Sequence, residues 1–147
     1  MLILPPQEVP PAGKKSALFR IMEAVERIGQ LSVIVIPFFY RLPLLRQASV
    51  DALAVMVLAI GFYYSGWVRY ATKGHRFVLL FAPFLGIPLP MAISPVIYFL
   101  AAAIFLRAWP LVIAAVVLGI GHLYISQAEW NRCRSGDDFT LSTQRRI

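Results

Sequence analysis

The sequence predicts an all-α fold: a polytopic membrane protein built as a compact four-helix transmembrane bundle, with a proline-broken third span and an amphipathic N-terminal helix. Three observations lead there. Hydrophobic residues make up 59% of the chain and charged residues only 14%, at a mean hydropathy of +0.72, more apolar side chain than one water-soluble core of this size can enclose. Apolar runs cover residues 28–45, 52–68, 77–106 and 111–125, close to or beyond the length that a bilayer core asks of a helix. The Lys and Arg residues also fall unevenly between the two ends of those runs.

The whole chain, 1–147, reads as a single integral membrane domain. It divides into a mobile N-terminal tail (1–15), an amphipathic helix plus first span (16–46), a second span (48–68), a broken third span (77–106), a fourth span (109–128) and a mobile C-terminal tail (135–147). The connectors leave no room for a soluble catalytic domain. The opening "MLILPPQEVPPAGKK" has too short an apolar core before its prolines for a signal peptide, and its basic residues follow that core, so the segment is expected to be retained. Cys133 is the single cysteine, which excludes an intrachain disulfide and any multi-cysteine metal site. It reads as an ordinary thiol, or as a lipidation site if the source is eukaryotic.

From Ser16 onward, Leu18, Ile21, Met22, Val25 and Ile28 recur at helical spacing, with Arg20, Glu23, Glu26 and Arg27 between them. That pattern describes a helix lying partly in the membrane interface. Glu23 and Arg27, one turn apart, suit an i,i+4 ion pair. The apolar run from Ile28 to Arg46 is then expected to cross, with Arg41 snorkelling to the outer headgroups past Pro37 and Pro43. In the second span Ser49 is placed to cap the helix and Asp51 to sit in its first turn, where the helix dipole favours a carboxylate. Asp51 at a membrane boundary is the candidate for proton coupling if that structural role fails.

The third run raises the sharpest question. As one helix, residues 77–106 would measure about 45 Å, too long for a hydrocarbon core of about 30 Å and too short for two crossings. Pro88 and Pro90 each disfavour helical geometry in the residue before them, so Ile87 and Leu89 are expected to be extended, and Gly86, Pro88 and Pro90 mark a helix break. A new helix should begin near Pro90, with 77–85 left as a short interfacial or half helix. Such a break must be buried or line a cavity, because no lipid atom can satisfy freed backbone groups. The fourth span opens with Pro110 in its first turn and carries Ala115 and Gly119 as a small-xxx-small face for close helix packing. His122 is the one histidine inside a span. It is expected to be neutral and hydrogen-bonded across helices, with a proton relay or ligand contact as the alternative.

The net charge of +7 records orientation, not a nucleic-acid partner. With four crossings, Lys14, Lys15, Arg20, Arg27, Arg69, Lys73, Arg76, Arg132, Arg134, Arg145 and Arg146 share one side, and Arg41, Arg46 and Arg107 the other, so both termini are expected in the cytoplasm. Tyr63, Tyr64, Trp67, Tyr70 and Trp130 mark the inner interface, Tyr40 and Trp109 the outer. The connector "RYATKGHR" (69–76) gathers Arg69, Lys73, His75 and Arg76 as candidate contacts for anionic lipid headgroups.

No nucleophile elbow, HExxH pattern, acid pair or phosphate-cradling loop occurs. Intramembrane haem ligation would need a second histidine in a span, and His75 lies in a connector. No catalytic, cofactor-binding or metal-binding residue and no cofactor is therefore nominated. The expected function is a non-enzymatic multi-pass integral membrane protein, an accessory, assembly or lipid-interacting component of a bacterial inner (plasma) membrane. Its expected partners are anionic lipid headgroups on the cytoplasmic side and a homo-oligomer or membrane-protein partner, with no nucleic acid. The alternative is a small oligomeric membrane transporter whose binding point is the broken third span. Replacing Pro88 and Pro90 together by alanine should let the helix run on and raise helix content by circular dichroism, while the chain still inserts; unchanged helix content would mean that these prolines do not make the break.

Overall fold

Ser16 starts the first helix: its side-chain oxygen accepts a hydrogen bond from the Phe19 N–H at 3.1 Å, satisfying one of the donors that a helix N-terminus leaves over. The computed structural model describes residues 15–42 and 47–144, the side chains of 47–49 and 136–144 excepted. Helix α1 spans Ala17–Val35 and tightens into a 3-10 turn, Ile36–Phe39, at Pro37, which has no N–H to continue the ladder. Helix α2 spans Gln47–Thr72, a second 3-10 turn covers Phe77–Leu80, α3 spans Pro90–Leu106 and α4 spans Trp109–Gln144. The described chain is thus all-helical, with four helices and no strand. Two of them, over Val50–Thr72 and Trp109–Ser135, are long and apolar enough to cross a membrane, and α3 is a shorter apolar helix.

Packing runs in a row. Helix α1 lies on α4, α4 on α3, and α3 on α2, so α1 and α2 are the outer members. The four helices of the expected compact bundle are thus arranged as a layer with a cleft between its outer members. Helices α3 and α4 meet in a two-residue turn: Arg107 adopts left-handed geometry (φ 53) and gives its N–H to Ala103 and Ile104, while Ala108 N–H reaches Ala103 O at 2.9 Å. The buried core sits at this end, built from Val33 of α1, Ala102 and Ala103 of α3, and Ala108, Leu111, Ala114, Ala115 and Leu118 around the start of α4. Alanines predominate because the helix axes are close.

The closest approach is between α1 and α4. A Cβ placed on Gly29 would lie 2.5 Å from the Cα of Leu118, and one on Gly121 would lie 2.6 Å from the backbone N of Glu26. Each helix therefore needs a glycine where the other's main chain passes. Gly119, of the anticipated small-residue face, turns instead to α3, where Val96 is its nearest neighbour.

Several expectations change. Helix α1 is continuous from Ala17 to Val35 and runs antiparallel along α4, so residue 28 lies inside this helix and does not start a separate one; residues 43–46, including Pro43 and Arg46, lie outside the described residues. Helix α2 begins at Gln47, two residues before Ser49, so Ser49 is not its cap and Asp51 lies beyond the first turn. Helix α4 continues to Gln144, through most of the segment anticipated as a tail, because no proline after Pro110 interrupts it. The N-terminal tail falls outside the described residues except for Lys15.

Between Phe77 and Pro90 the chain is non-helical apart from the 3-10 turn. Phe84 and Ile87 exchange backbone hydrogen bonds of 3.1 and 3.0 Å around Leu85 (φ 51) and Gly86 (φ 79), both left-handed as a two-residue type I′ turn requires. Leu89 is left-handed (φ 48, ψ 52) where extended geometry was expected. Its side chain is buried and its carbonyl accepts from both Ala92 and Ile93 N–H, and these contacts outweigh the pre-proline preference.

Valine at Gly29 or Gly121 must push two backbones apart, and each change should lower stability in detergent by about 1–3 kcal/mol. Gly61, where a Cβ would meet no atom within 4 Å, should accept alanine with no loss or a gain of up to about 1 kcal/mol. Thermal unfolding of the purified variants checks both, and equal behaviour at the three positions would contradict the close approach.

Candidate functional site

The row of helices leaves a cleft of about 330 Å3. Its floor is the N-terminal half of α3 (Met91, Ala92, Pro95, Phe99) and the middle of α4 (Leu118, His122, Ser126). Gln30, Val33 and Ile34 of α1 form one wall, Tyr63 and Trp67 of α2 the other, and Leu80 and Phe81 of the second 3-10 turn complete it. Residues on both sides of the proline break therefore line one cavity.

Its polar groups come from α1 and α4. His122 Nδ1 lies 2.6 Å from Glu26 Oε1, and Gln30 Nε2 donates to the same carboxylate oxygen at 3.1 Å. Both members of the pair are mostly buried, with side chains 26% and 15% exposed for His122 and Glu26. With Nδ1 engaged, the imidazole keeps Nε2 for anything that enters the cleft; it has no hydrogen-bond partner among the described residues. Ser126 sits one turn further along α4, buried and on the same cleft. The arrangement can share a proton or hold a polar head group at one end of an apolar cavity.

The break is held from α2. Arg69 Nη1 donates to the carbonyls of Ala82 (3.3 Å) and Pro83 (3.0 Å), and its guanidinium lies 5.3 Å from the Phe84 ring centroid. Phe84 in turn stacks on Phe62 at 5.8 Å. Arg69, nominated for lipid headgroups, satisfies carbonyls that the break sets free. His75 also turns inward, its ring 5.4 Å from that of Tyr70 and its N–H bonded to Tyr70 O at 3.1 Å. Of the four candidate headgroup contacts, Lys73 and Arg76 are the exposed ones.

The remaining sequence candidates lie elsewhere. Asp51 borders a separate surface hollow with Ala52, Val55 and Ile97, so it does not meet His122. Glu23 pairs with Lys15 at 2.5 Å and not with Arg27, because Lys15 lies beside the first turn of α1 and reaches down it. Glu129 and Arg132 pair at 3.2 Å on α4, and the second carboxylate oxygen of Glu129 is buried without a hydrogen-bond partner among the described residues. Cys133 is buried, out of reach of a modifying enzyme in this fold. Among the described residues no three His, Cys, Asp or Glu side chains gather into a metal-binding group.

The role of Glu26 as the partner of His122 was missed at the level of sequence. Its signal was there: an acid on the apolar side of α1, flanked by Gly29, facing a helix whose only in-span histidine follows Gly121. No protein-family model, curated protein or solved structure matches this chain.

Glu26→Ala and His122→Ala should each destabilise the protein by about 1–3 kcal/mol, since each strands a partner inside the bundle. The double variant should lose less than the sum, with a coupling of about 0.5–3 kcal/mol in a denaturant or thermal unfolding cycle. Strictly additive losses would show that the pair contributes nothing as a pair.

Proposed function

We propose that the chain is a non-enzymatic, multi-pass integral membrane protein whose four helices all cross the bilayer, an accessory or assembly component that contacts lipid in a bacterial inner membrane. The observation that carries this reading is the outer surface. Leu31 of α1, Leu58 of α2, Ile104 of α3 and Ile113 of α4 are 65%, 72%, 63% and 67% exposed, on every helix of the row. A surface of that kind needs hydrocarbon or another apolar surface against it. Since α1 lies along the apolar length of α4, it enters the bilayer beside it, and the cost of Glu26 at that depth is offset by His122 and Gln30. Both termini, the connector around Lys73 and the cluster of Arg132 and Arg134 belong to the cytoplasmic side by the charge asymmetry. Trp109, 79% exposed at the α3–α4 turn, suits the opposite interface.

A second reading, a small oligomeric transporter, is favoured by one feature: the cleft lies at the proline break and is lined by His122, which pairs with the part-buried Glu26 carboxylate behind it. Both readings share the topology, which cysteine labelling tests directly. In a Cys133→Ser background, Pro110→Cys should react with a membrane-impermeant maleimide in intact cells, and Ala71→Cys only after permeabilisation; the opposite pattern overturns the orientation, and reaction of both in intact cells overturns the crossing of α3.

A further inference from the structure

The cleft is open sideways, between the outer helices α1 and α2, and Ile34 on its rim is 58% exposed. Its walls are apolar over most of their area, with Val33, Phe81, Met91, Pro95 and Phe99 prominent. Its polar groups are confined to His122, Gln30 and Ser126 beside the aromatic pair Tyr63 and Trp67. At about 330 Å3 it stands at the small end of ligand pockets, which run from about 300 to 1,000 Å3. That is room for one chain.

We propose that this cleft binds a single-chain carboxylic acid, a free fatty acid taken from the bilayer, with its carboxyl group at His122 Nε2 and its chain along the α3 side of the cavity. The inference rests on the membrane reading above for the source of the ligand. The head group is chosen by His122. Glu26 occupies Nδ1, so one nitrogen remains, and a carboxyl group complements it in either protonation state. A neutral imidazole accepts a hydrogen bond from the carboxylic acid; an imidazolium donates to the carboxylate, with Glu26 stabilising the cation from the other side. Ser126 adds a hydroxyl donor one turn away. An ester or a hydrocarbon offers a neutral Nε2 no proton and forgoes that hydrogen bond. The chain is chosen by the walls, and a two-chain phospholipid exceeds the volume. Net charge of +7, with Lys73 exposed on the connector that leads into the second 3-10 turn, favours an anionic amphiphile over a cationic one.

Trp67 lines the cleft and provides the readout. With Trp109→Phe and Trp130→Phe, it is the one tryptophan left. The full chain, purified in an uncharged detergent, is titrated with brominated stearic acid, whose bromines quench indole at contact range. Saturable quenching is expected, with the methyl ester of the same acid binding at least tenfold more weakly, equivalent to about 1.4 kcal/mol. His122→Phe, of similar size, should bring the acid down to the affinity of the ester and leave the ester unchanged. Equal quenching by acid and ester overturns the proposal, as does quenching that rises without saturation in proportion to probe in the micelle. The acid–ester comparison is made on the protein with His122 in place, so it stands even if the variant misfolds. Because binding is read in micelles and topology in intact cells, failure of the ligand and failure of the membrane reading give different results.

Discussion

Contact between the main chains of α1 and α4 governs the rest of this structure. Gly29 lies against the backbone of Leu118 and Gly121 against that of Glu26, so no side chain separates the helices at the level where Glu26 and His122 stand. At ordinary helix separations of about 8–10 Å a carboxylate and an imidazole can still meet across an interface. Here the small separation also leaves no room for another molecule between them. The short bond between the two is therefore a consequence of two glycines, and the polar end of the cleft is a consequence of that bond.

The same constraint orders the row. With α1 drawn tightly to one flank of α4, the other flank is free for α3, where Gly119 receives Val96. Helix α2 then leans on α3 and on the second 3-10 turn. A closed bundle would have filled the centre with side chains; the row leaves α1 and α2 as walls facing each other over α3 and α4. The cavity is what remains between them.

Its far wall depends on the break, which frees backbone groups that need partners wherever water is excluded. Prolines at 83, 88 and 90 remove three N–H groups, and carbonyls are left over. Arg69 answers for two of them, and the Phe84–Ile87 turn closes on itself. A planar guanidinium suits the task, because it can donate to adjacent carbonyls while its face rests on Phe84. Arg69 thus links α2 to the segment that brings Leu80 and Phe81 to the cleft, and it does so with a charge that composition alone assigns to the membrane surface.

Local chemistry and length are written along the chain and can be read there: apolar helices, a helix start at Pro90 after two X-Pro steps, a histidine set within an apolar helix. Each of these follows from neighbours a few residues away. Which helices touch is a different matter, settled in three dimensions. The Glu26–His122 bond joins residues 96 positions apart in the chain, and no spacing rule connects them. Glu23 pairs with Lys15 and not Arg27, and Arg69 reaches the carbonyls of the break, because a long flexible side chain goes where a partner is held, and the fold holds it. The left-handed Leu89 shows the limit most directly: a local rule said extended, and the burial of one leucine side chain reversed it.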